Sequence, residues 1–321
     1  MLSTIEVRET KSWANSKQPN RLELGSPKRV LWLAWAVTLT VSLAPNILFQ
    51  VSTGHTPSWL FGAKLALLGV MILLGLLWSR ARPLSVFCIM LAVLFLMEGL
   101  RGRVEASAQW QQWFGASGTS FATQMLGAQV LRVGVAMVMI AVLLFLQYRP
   151  RDFFLVKGNL NGTAAPVRWL GIDKPMGWRR LGTISSLCIS LGLLAFLLIG
   201  GRPSWAAAGK ALPVFPMVLI LASMNAFFEE VSYRSALLGP LREAVDQRQA
   251  VLLTAAFFGI AHYYGVPYGL VGVVMASFLG WFLGKSMTET NGLFWPWFIH
   301  FLQDVLVFSF MAVGAVTPGG K

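Results

Sequence analysis

The chain has 321 residues, of which 56% are hydrophobic and only 12% are charged, and its mean hydropathy is +0.64. So little charge excludes a soluble globular protein, because a water-exposed surface of this size needs far more charged side chains. The net charge of +13 does not indicate nucleic-acid binding, since the basic residues stand in short segments between long apolar runs. We expect a polytopic helical membrane protein whose surroundings are the lipid bilayer, with no nucleic-acid partner.

The chain divides into a polar tail, nine candidate membrane helices and a second short tail. Residues 1–29 are polar and lack hydrophobic periodicity, which predicts a disordered cytoplasmic tail and no cleavable signal peptide. A membrane-spanning helix needs about 20 apolar residues to cross about 30 Å of hydrocarbon. Such runs predict an all-α fold with about nine spans, at residues 30–49, 59–78, 84–100, 130–148, 181–199, 213–237, 250–266, 268–284 and 293–313, followed by a tail at 314–321.

The longest polar segment between spans, residues 149–180, is rich in Gly, Asn and Pro. We expect a polar cytoplasmic loop that separates an N-terminal block of about four helices (residues 30–148) from a C-terminal core (residues 181–313). Most Lys and Arg residues fall in segments that a cytoplasmic N-terminus would place inside the cell. This pattern predicts that the N-terminus lies in the cytoplasm and the C-terminus outside. Together with the absence of organelle signals, it favours a bacterial plasma (inner) membrane, with a eukaryotic endomembrane as the alternative.

Three ionisable residues stand together in the sixth predicted span, where a charged side chain is costly and rarely occurs without a partner or a function. Glu230 and Arg234 are four residues apart, so they can pair along one face of a helix. Glu229 points about 100° away from Glu230, and can therefore stay free for chemistry. Arg132 and Lys64 lie just inside other predicted spans, and we expect their long side chains to reach an interface.

The other deep polar residues lie on two further predicted helices. His262 follows Phe258 by four residues, and His300 precedes Asp304 by four. Counted from the predicted cytoplasmic helix ends at 1.5 Å per residue, Glu229, His262 and His300 lie roughly 12 to 18 Å deep. Groups on three helices therefore reach a similar depth from the same face of the membrane.

A carboxylate and two imidazoles at one depth are suited to the activation of water. The carboxylate can take a proton from water with the help of one histidine, while the second histidine donates to the oxyanion of a tetrahedral intermediate. Glu229, His262 and His300 can also hold a catalytic zinc ion, although the chain has no His-Glu-x-x-His signature. The same cluster also suits a non-catalytic membrane protein that keeps it for packing, or a proton-coupled transporter, for which we find no inverted repeat.

Three short motifs of the C-terminal half resemble those of the CAAX-protease and bacteriocin-processing (CPBP, or Abi) family of intramembrane endopeptidases, to which Ras-converting enzyme belongs. These motifs are Glu229-Glu230-x-x-x-Arg234, Phe258-x-x-x-His262 and His300-x-x-x-Asp304. The resemblance covers roughly residues 165–313 and implies a glutamate-type protease that needs no obligatory metal. By position, Glu229 and His262 would activate water, Arg234 would hold Glu230, and Phe258 would support the site.

The third motif departs from the family pattern at its last position. The resemblance implies that His300 and the residue at 304 stabilise the oxyanion, and family members often have Asn at that second position. Here it is Asp304, and an ionised carboxylate cannot donate a hydrogen bond. We therefore expect Asp304 to orient His300, or to be protonated.

We predict an intramembrane endopeptidase that hydrolyses a peptide bond in a membrane-associated or prenylated (CAAX-type) protein or peptide. No cofactor is predicted, with zinc as the alternative. The rival functions are a non-catalytic immunity or scaffold protein and a proton-coupled transporter. The family resemblance does not by itself fix a prenylated substrate, because bacterial relatives generally lack prenylated partners and many are assigned to peptide or bacteriocin handling.

Overall fold

The computed structural model describes residues 28–78, 82–116 and 118–316, and almost all of its regular structure is helical. The all-α class predicted from the sequence is confirmed. Most of the two predicted tails lies outside the described residues. The helices in chain order are α1 (Lys28–Val41), α2 (Ala44–Thr53), α3 (Trp59–Leu77), α4 (Arg82–Glu105), α5 (Ala108–Trp110), α6 (Phe121–Phe145), α7 (Trp178–Gly201), α8 (Trp205–Ala211), α9 (Phe215–Glu229), α10 (Ala236–Ala244), α11 (Gln247–Ala261), α12 (Leu270–Thr290) and α13 (Phe294–Ala315).

Short irregular elements connect these helices. Strands β1 (Thr163–Ala164) and β2 (Met176–Gly177) pair antiparallel in the segment before α7. The remaining turns are 3₁₀-helical at Arg168–Leu170, Leu212–Val214 and His262–Tyr264, and π-helical at Gln111–Gly115 and Glu230–Ser235. The second π-helical turn joins α9 to α10 and contains both Glu230 and Arg234.

Seven helical segments of the described chain are long and apolar enough to cross a membrane, or up to eight if the bent pair α1 and α2 forms one span. The protein is therefore an integral membrane protein with multiple spans, but with fewer than the nine predicted. The seventh predicted span corresponds to α11, which has only 15 residues. Such a helix is about 22 Å long, which is shorter than the roughly 30 Å of hydrocarbon.

The sixth predicted span ends at residue 237, but α10 continues through Gly239 and Pro240 to Ala244. Pro240 has no N–H and cannot donate the helical hydrogen bond to the Ala236 carbonyl oxygen. The π-helical turn gives way to α10 at Ala236, so the hydrogen-bonding pattern changes there in any case. A Cβ at Gly239 would come within 2.8 Å of the Phe153 Cβ. Glycine at this position therefore lets the loop before α7 pack directly against α10.

The N-terminal and C-terminal blocks share one hydrophobic core. Its buried residues come from α1, α3, α4 and α6 on one side and from α9, α10 and α11 on the other. Phe153 and Phe154, from the segment predicted as a polar loop, are completely buried in the same core. The Ser235 hydroxyl donates to the Phe153 carbonyl oxygen and ties this segment to the π-helical turn. The start of the loop is thus a packed part of the core that supports the site.

Lys64 does not reach an interface, and this prediction is wrong. Its side chain is buried, and Nζ donates to the Ser42 carbonyl oxygen and to Asn46 Oδ1, both at 2.5 Å. The bend between α1 and α2 places these two oxygen acceptors beside the ammonium group. A buried charge with two acceptors costs far less than an isolated one.

Gly158, in the segment between the two blocks, packs directly against Gly292, which lies just before α13. A Cβ at Gly292 would lie 2.3 Å from the Gly158 Cα and 2.4 Å from its N, and Gly158 has a positive φ of 78°. These neighbours are backbone atoms, so no flexible side chain can move aside. Gly292→Ala should therefore lower the free energy of unfolding by about 1–3 kcal/mol, the usual cost of overpacking, measured as a lower Tm in detergent.

A matched control comes from α3, where a Cβ at Gly69 would meet no atom within 4 Å. Gly69→Ala should leave the Tm unchanged or raise it slightly, because alanine favours the helix. Equal Tm values for the two variants would show that the Gly158–Gly292 contact does not constrain the loop.

Candidate active site

The first group of the site is a completely buried ion pair. α9 ends at Glu229, and the π-helical turn begins at Glu230. Glu230 and Arg234 form the ion pair that their spacing predicts, and both side chains are 0% exposed. The Arg234 guanidinium also lies over the ring of Phe258, 4.0 Å from its centroid. The pair therefore neutralises Glu230 and connects the π-helical turn to α11.

Glu229 is turned away from this pair and toward the two histidines. Its Oε2 lies 3.9 Å from Nε2 of His262 and 3.4 Å from Nε2 of His300. The side chains of Glu229 and His262 are 14% and 29% exposed, so this part of the site is open whereas Glu230 is not. The structure thus brings together the three groups that the sequence placed at a similar depth, and it separates the roles of the two adjacent carboxylates.

His262 is held at the end of a helix. α11 ends at Ala261, and His262 begins a 3₁₀ turn. Its Nδ1 lies 2.9 Å from the Phe258 carbonyl oxygen, and because a carbonyl only accepts, Nδ1 is the donor. In the neutral ring, Nε2 then has a lone pair that faces Glu229. A water molecule about 2.8 Å from each atom would bridge this gap at an angle of about 90° and could donate one hydrogen to each.

His300 is oriented by Glu230. Its Nδ1 lies 2.6 Å from Glu230 Oε1, whereas Asp304 Oδ1 is 3.7 Å from Nε2, which is too long for a hydrogen bond. The hydrogen bond that orients His300 is therefore made to Glu230, whereas Asp304 lies only at ion-pair distance; that Asp304 is protonated stays a prediction. The π-helical turn brings Glu230 within reach of one ring nitrogen, while the other nitrogen stays between Glu229 and Asp304.

Asp304 is held instead by Asn225, which precedes Glu229 by one helical turn. The Asn225 Nδ2 lies 3.1 Å from Glu229 Oε1 and 3.1 Å from Asp304 Oδ2. Its Oδ1 accepts a hydrogen bond of 2.7 Å from Nη1 of Arg132. Asn225 was not predicted from the sequence, although a polar residue four positions before Glu229 in an apolar span was an available signal.

Arg132 does not extend to an interface, so this prediction is also wrong. It lies near the middle of α6, where it is the one charged residue of the helix, and its guanidinium contacts Asn225 and lies 6.0 Å from the Phe228 ring centroid. The acceptor that holds it stands 93 residues further along the chain, and no sequence pattern connects the two. The site therefore includes a side chain of the N-terminal block.

Within the described residues, no group of three or more His, Cys, Asp and Glu side chains is arranged to hold a metal ion. Each site histidine donates from Nδ1, to Phe258 in one case and to Glu230 in the other. The Nε2 atoms are therefore the ones that face Glu229, and they are available to accept a proton or to bind a metal. A chelator experiment can therefore distinguish zinc binding from proton transfer at these atoms.

Residues 211–306 match the sequence profile of a protein family described as Rce1-like, type II CAAX prenyl endopeptidase. The matched segment runs from the end of α8 into α13, so it excludes Arg132 and the rest of the N-terminal block. Searches among the curated proteins and among the solved structures found no match to the chain. The matched segment contains the site residues Asn225, Glu229, Glu230, Arg234, Phe258, His262, His300 and Asp304.

Proposed function

Because residues 211–306 form a domain of the Rce1-like family of type II CAAX prenyl endopeptidases, we propose that this protein is an intramembrane endopeptidase. Its substrate is a membrane-associated or prenylated (CAAX-type) protein or peptide, cleaved near the membrane surface. One observation supports this most directly. An open carboxylate, Glu229, faces the Nε2 atoms of two histidines, while the adjacent Glu230 is buried in an ion pair.

In the first step, a water molecule lies between Glu229 Oε2 and His262 Nε2. The Glu229 carboxylate takes one proton from it, and the water oxygen attacks the carbonyl carbon of the scissile peptide bond. His262 accepts a hydrogen bond from the second hydrogen and so directs the oxygen lone pair toward the carbonyl. Its own orientation is fixed by the hydrogen bond from Nδ1 to Phe258.

In the second step, the carbonyl oxygen becomes an oxyanion, and His300 stabilises it. Since Nδ1 donates to Glu230, donation from Nε2 requires a doubly protonated ring, and the carboxylate of Asp304 at 3.7 Å stabilises that positive charge. The intermediate then collapses, the C–N bond breaks, and the proton held by Glu229 passes to the leaving nitrogen. The products are a new carboxyl terminus and a new amine, with one water consumed.

The test is proteolysis by protein reconstituted in liposomes, with a farnesylated CAAX peptide and isolated host membrane proteins as substrates. Wild type, Glu229→Ala and His262→Ala are compared with and without a zinc chelator. His55→Ala serves as the matched control, because His55 is an exposed histidine outside the site. We expect wild type and His55→Ala to cleave at the same rate, both site variants to be inactive, and the chelator to have no effect.

Two different outcomes would change the conclusion. Cleavage that is lost with the chelator and restored by zinc would make Glu229, His262 and His300 metal ligands and overturn the metal-free mechanism. Absence of cleavage of every substrate by folded wild-type protein would overturn the proposed activity in favour of a non-catalytic membrane protein.

A further inference from the structure

The N-terminal block contains no motif, yet it places one charged side chain in the site. Arg132 Nη1 donates to Asn225 Oδ1 at 2.7 Å, and the same amide donates from Nδ2 to Glu229 and to Asp304. From this arrangement, and resting on the proposed endopeptidase, we infer that Arg132 is a positioning residue of the active site. It acts through Asn225 to hold the two carboxylates of Glu229 and Asp304 in place.

The Asn225 amide has one orientation that satisfies all of its partners. An arginine side chain has only donors, so the amide oxygen must point toward Arg132. Nδ2 therefore points toward Glu229 Oε1 and Asp304 Oδ2, both at 3.1 Å. Without a pure donor at residue 132, the amide can rotate and present its oxygen to two carboxylates, which repel it. Arg132 thus ensures that Nδ2 of Asn225, and not its oxygen, contacts Glu229, the carboxylate that accepts the proton from water.

The charges of the site point independently to the same role. Glu229, Glu230 and Asp304 place three carboxylates in one cluster around His300, and Arg234 is already engaged with Glu230. Among the described residues, Arg132 is the other arginine that reaches this cluster, through Asn225. Its loss would leave Glu229 and Asp304 with only the histidines as charged partners, in a low-dielectric setting where like charges repel strongly.

The position of Arg132 in its own helix agrees with this role. It is the twelfth residue of the 25-residue α6, far from both ends. An arginine at the centre of a span is unfavourable by about 2.5–3.5 kcal/mol on insertion scales, and such residues are usually retained for function. The Asn225 amide oxygen gives this arginine an acceptor at that depth.

The experiment measures kcat and KM for the farnesylated peptide in liposomes. The variants are Arg132→Gln, Arg132→Lys and Asn225→Leu, together with the double variant Arg132→Gln/Asn225→Leu. Arg101→Gln is the matched control, because Arg101 is also a half-buried arginine of the N-terminal block, but it pairs with Glu98 and Glu105 outside the site. Each variant is also compared with wild type by its Tm in detergent.

We expect Arg132→Gln to lower kcat by about 10- to 100-fold, because a small misplacement of a reacting group can cost about 100-fold in rate, with KM changed less than about threefold. Arg132→Lys should recover part of the loss, since lysine is also a pure donor. The double variant should be no slower than Asn225→Leu alone, because both act through one amide. Arg101→Gln should keep wild-type kcat.

Three results would overturn the inference. If wild type cleaves the peptide and Arg132→Gln keeps kcat within twofold, Arg132 is not a positioning residue, while the proposed function stands. If folded wild type cleaves nothing, the proposed function fails and the inference fails with it. A loss of kcat in Arg101→Gln as large as in Arg132→Gln would likewise overturn it, by showing a general loss of structure.

Discussion

Glu229→Gln should lower kcat at least about 100-fold, the usual contribution of a general base, while the protein stays folded. Glutamine has nearly the same size and shape, and its Oε1 can still accept the hydrogen bond from Asn225. It cannot take a proton from water. The measurement is the initial rate of peptide cleavage in liposomes, normalised to folded protein, together with the Tm in detergent.

A double variant tests whether Glu229 and His262 act on the same water molecule. Because their facing atoms are 3.9 Å apart, removal of either should abolish the same step, and Glu229→Gln/His262→Ala should be about as slow as the slower single variant. If the rate loss of the double variant equals the product of the two single-variant losses, the two residues act in separate steps. A rate for Glu229→Gln within tenfold of wild type would exclude Glu229 as the base.

Arg234→Met should destabilise the fold by about 3–5 kcal/mol, because it leaves the carboxylate of Glu230 buried without its partner. Both side chains are 0% exposed, and the surrounding core contains residues of both blocks. In addition, the contact of the guanidinium with the Phe258 ring is lost. The expected result is a markedly lower Tm, or failure to purify as a single species.

The double variant Glu230→Leu/Arg234→Met separates stability from activity. Apolar replacement of both partners of a buried ion pair is often neutral or stabilising. Here Glu230 Oε2 and Arg234 Nη2 are buried without a hydrogen-bond partner among the described residues, so their removal relieves a cost. The Tm should recover, but cleavage should stay low, because His300 Nδ1 has lost its acceptor. Recovery of both the Tm and the cleavage rate would show that Glu230 has no part in orienting His300.

Local spacing was sufficient to predict much of the site. The pairing of Glu230 with Arg234 follows from four residues of separation on a helix, and it holds even though the turn is π-helical. Glu229, His262 and His300 do converge, as their similar predicted depth suggested, although α11 is too short to be a span and α10 extends beyond Pro240. The all-α class followed from hydropathy alone.

Contacts between distant segments could not be predicted in the same way. Glu230 and His300 are 70 residues apart, and Arg132 and Asn225 are 93 apart, so their partners depend on how the helices pack. The span count was too high because hydropathy does not distinguish a short buried helix such as α11 from one that crosses the bilayer. The sequence pattern around Lys64 likewise gave no sign of the bend that supplies its acceptors.

The placement of Arg132 has a consequence for how the protein is made. Asn225 lies 93 residues after Arg132, so at about 5–20 residues per second it is synthesised on the order of 5 to 20 s later. During that interval the otherwise uncharged α6 must carry an arginine without its Asn225 partner into the bilayer. His300 and Asp304 follow Asn225 in the chain and are therefore added later still. The proposed active site is therefore complete only after His300 and Asp304 of α13 have been synthesised, so under the proposed function a growing chain would stay inactive until then.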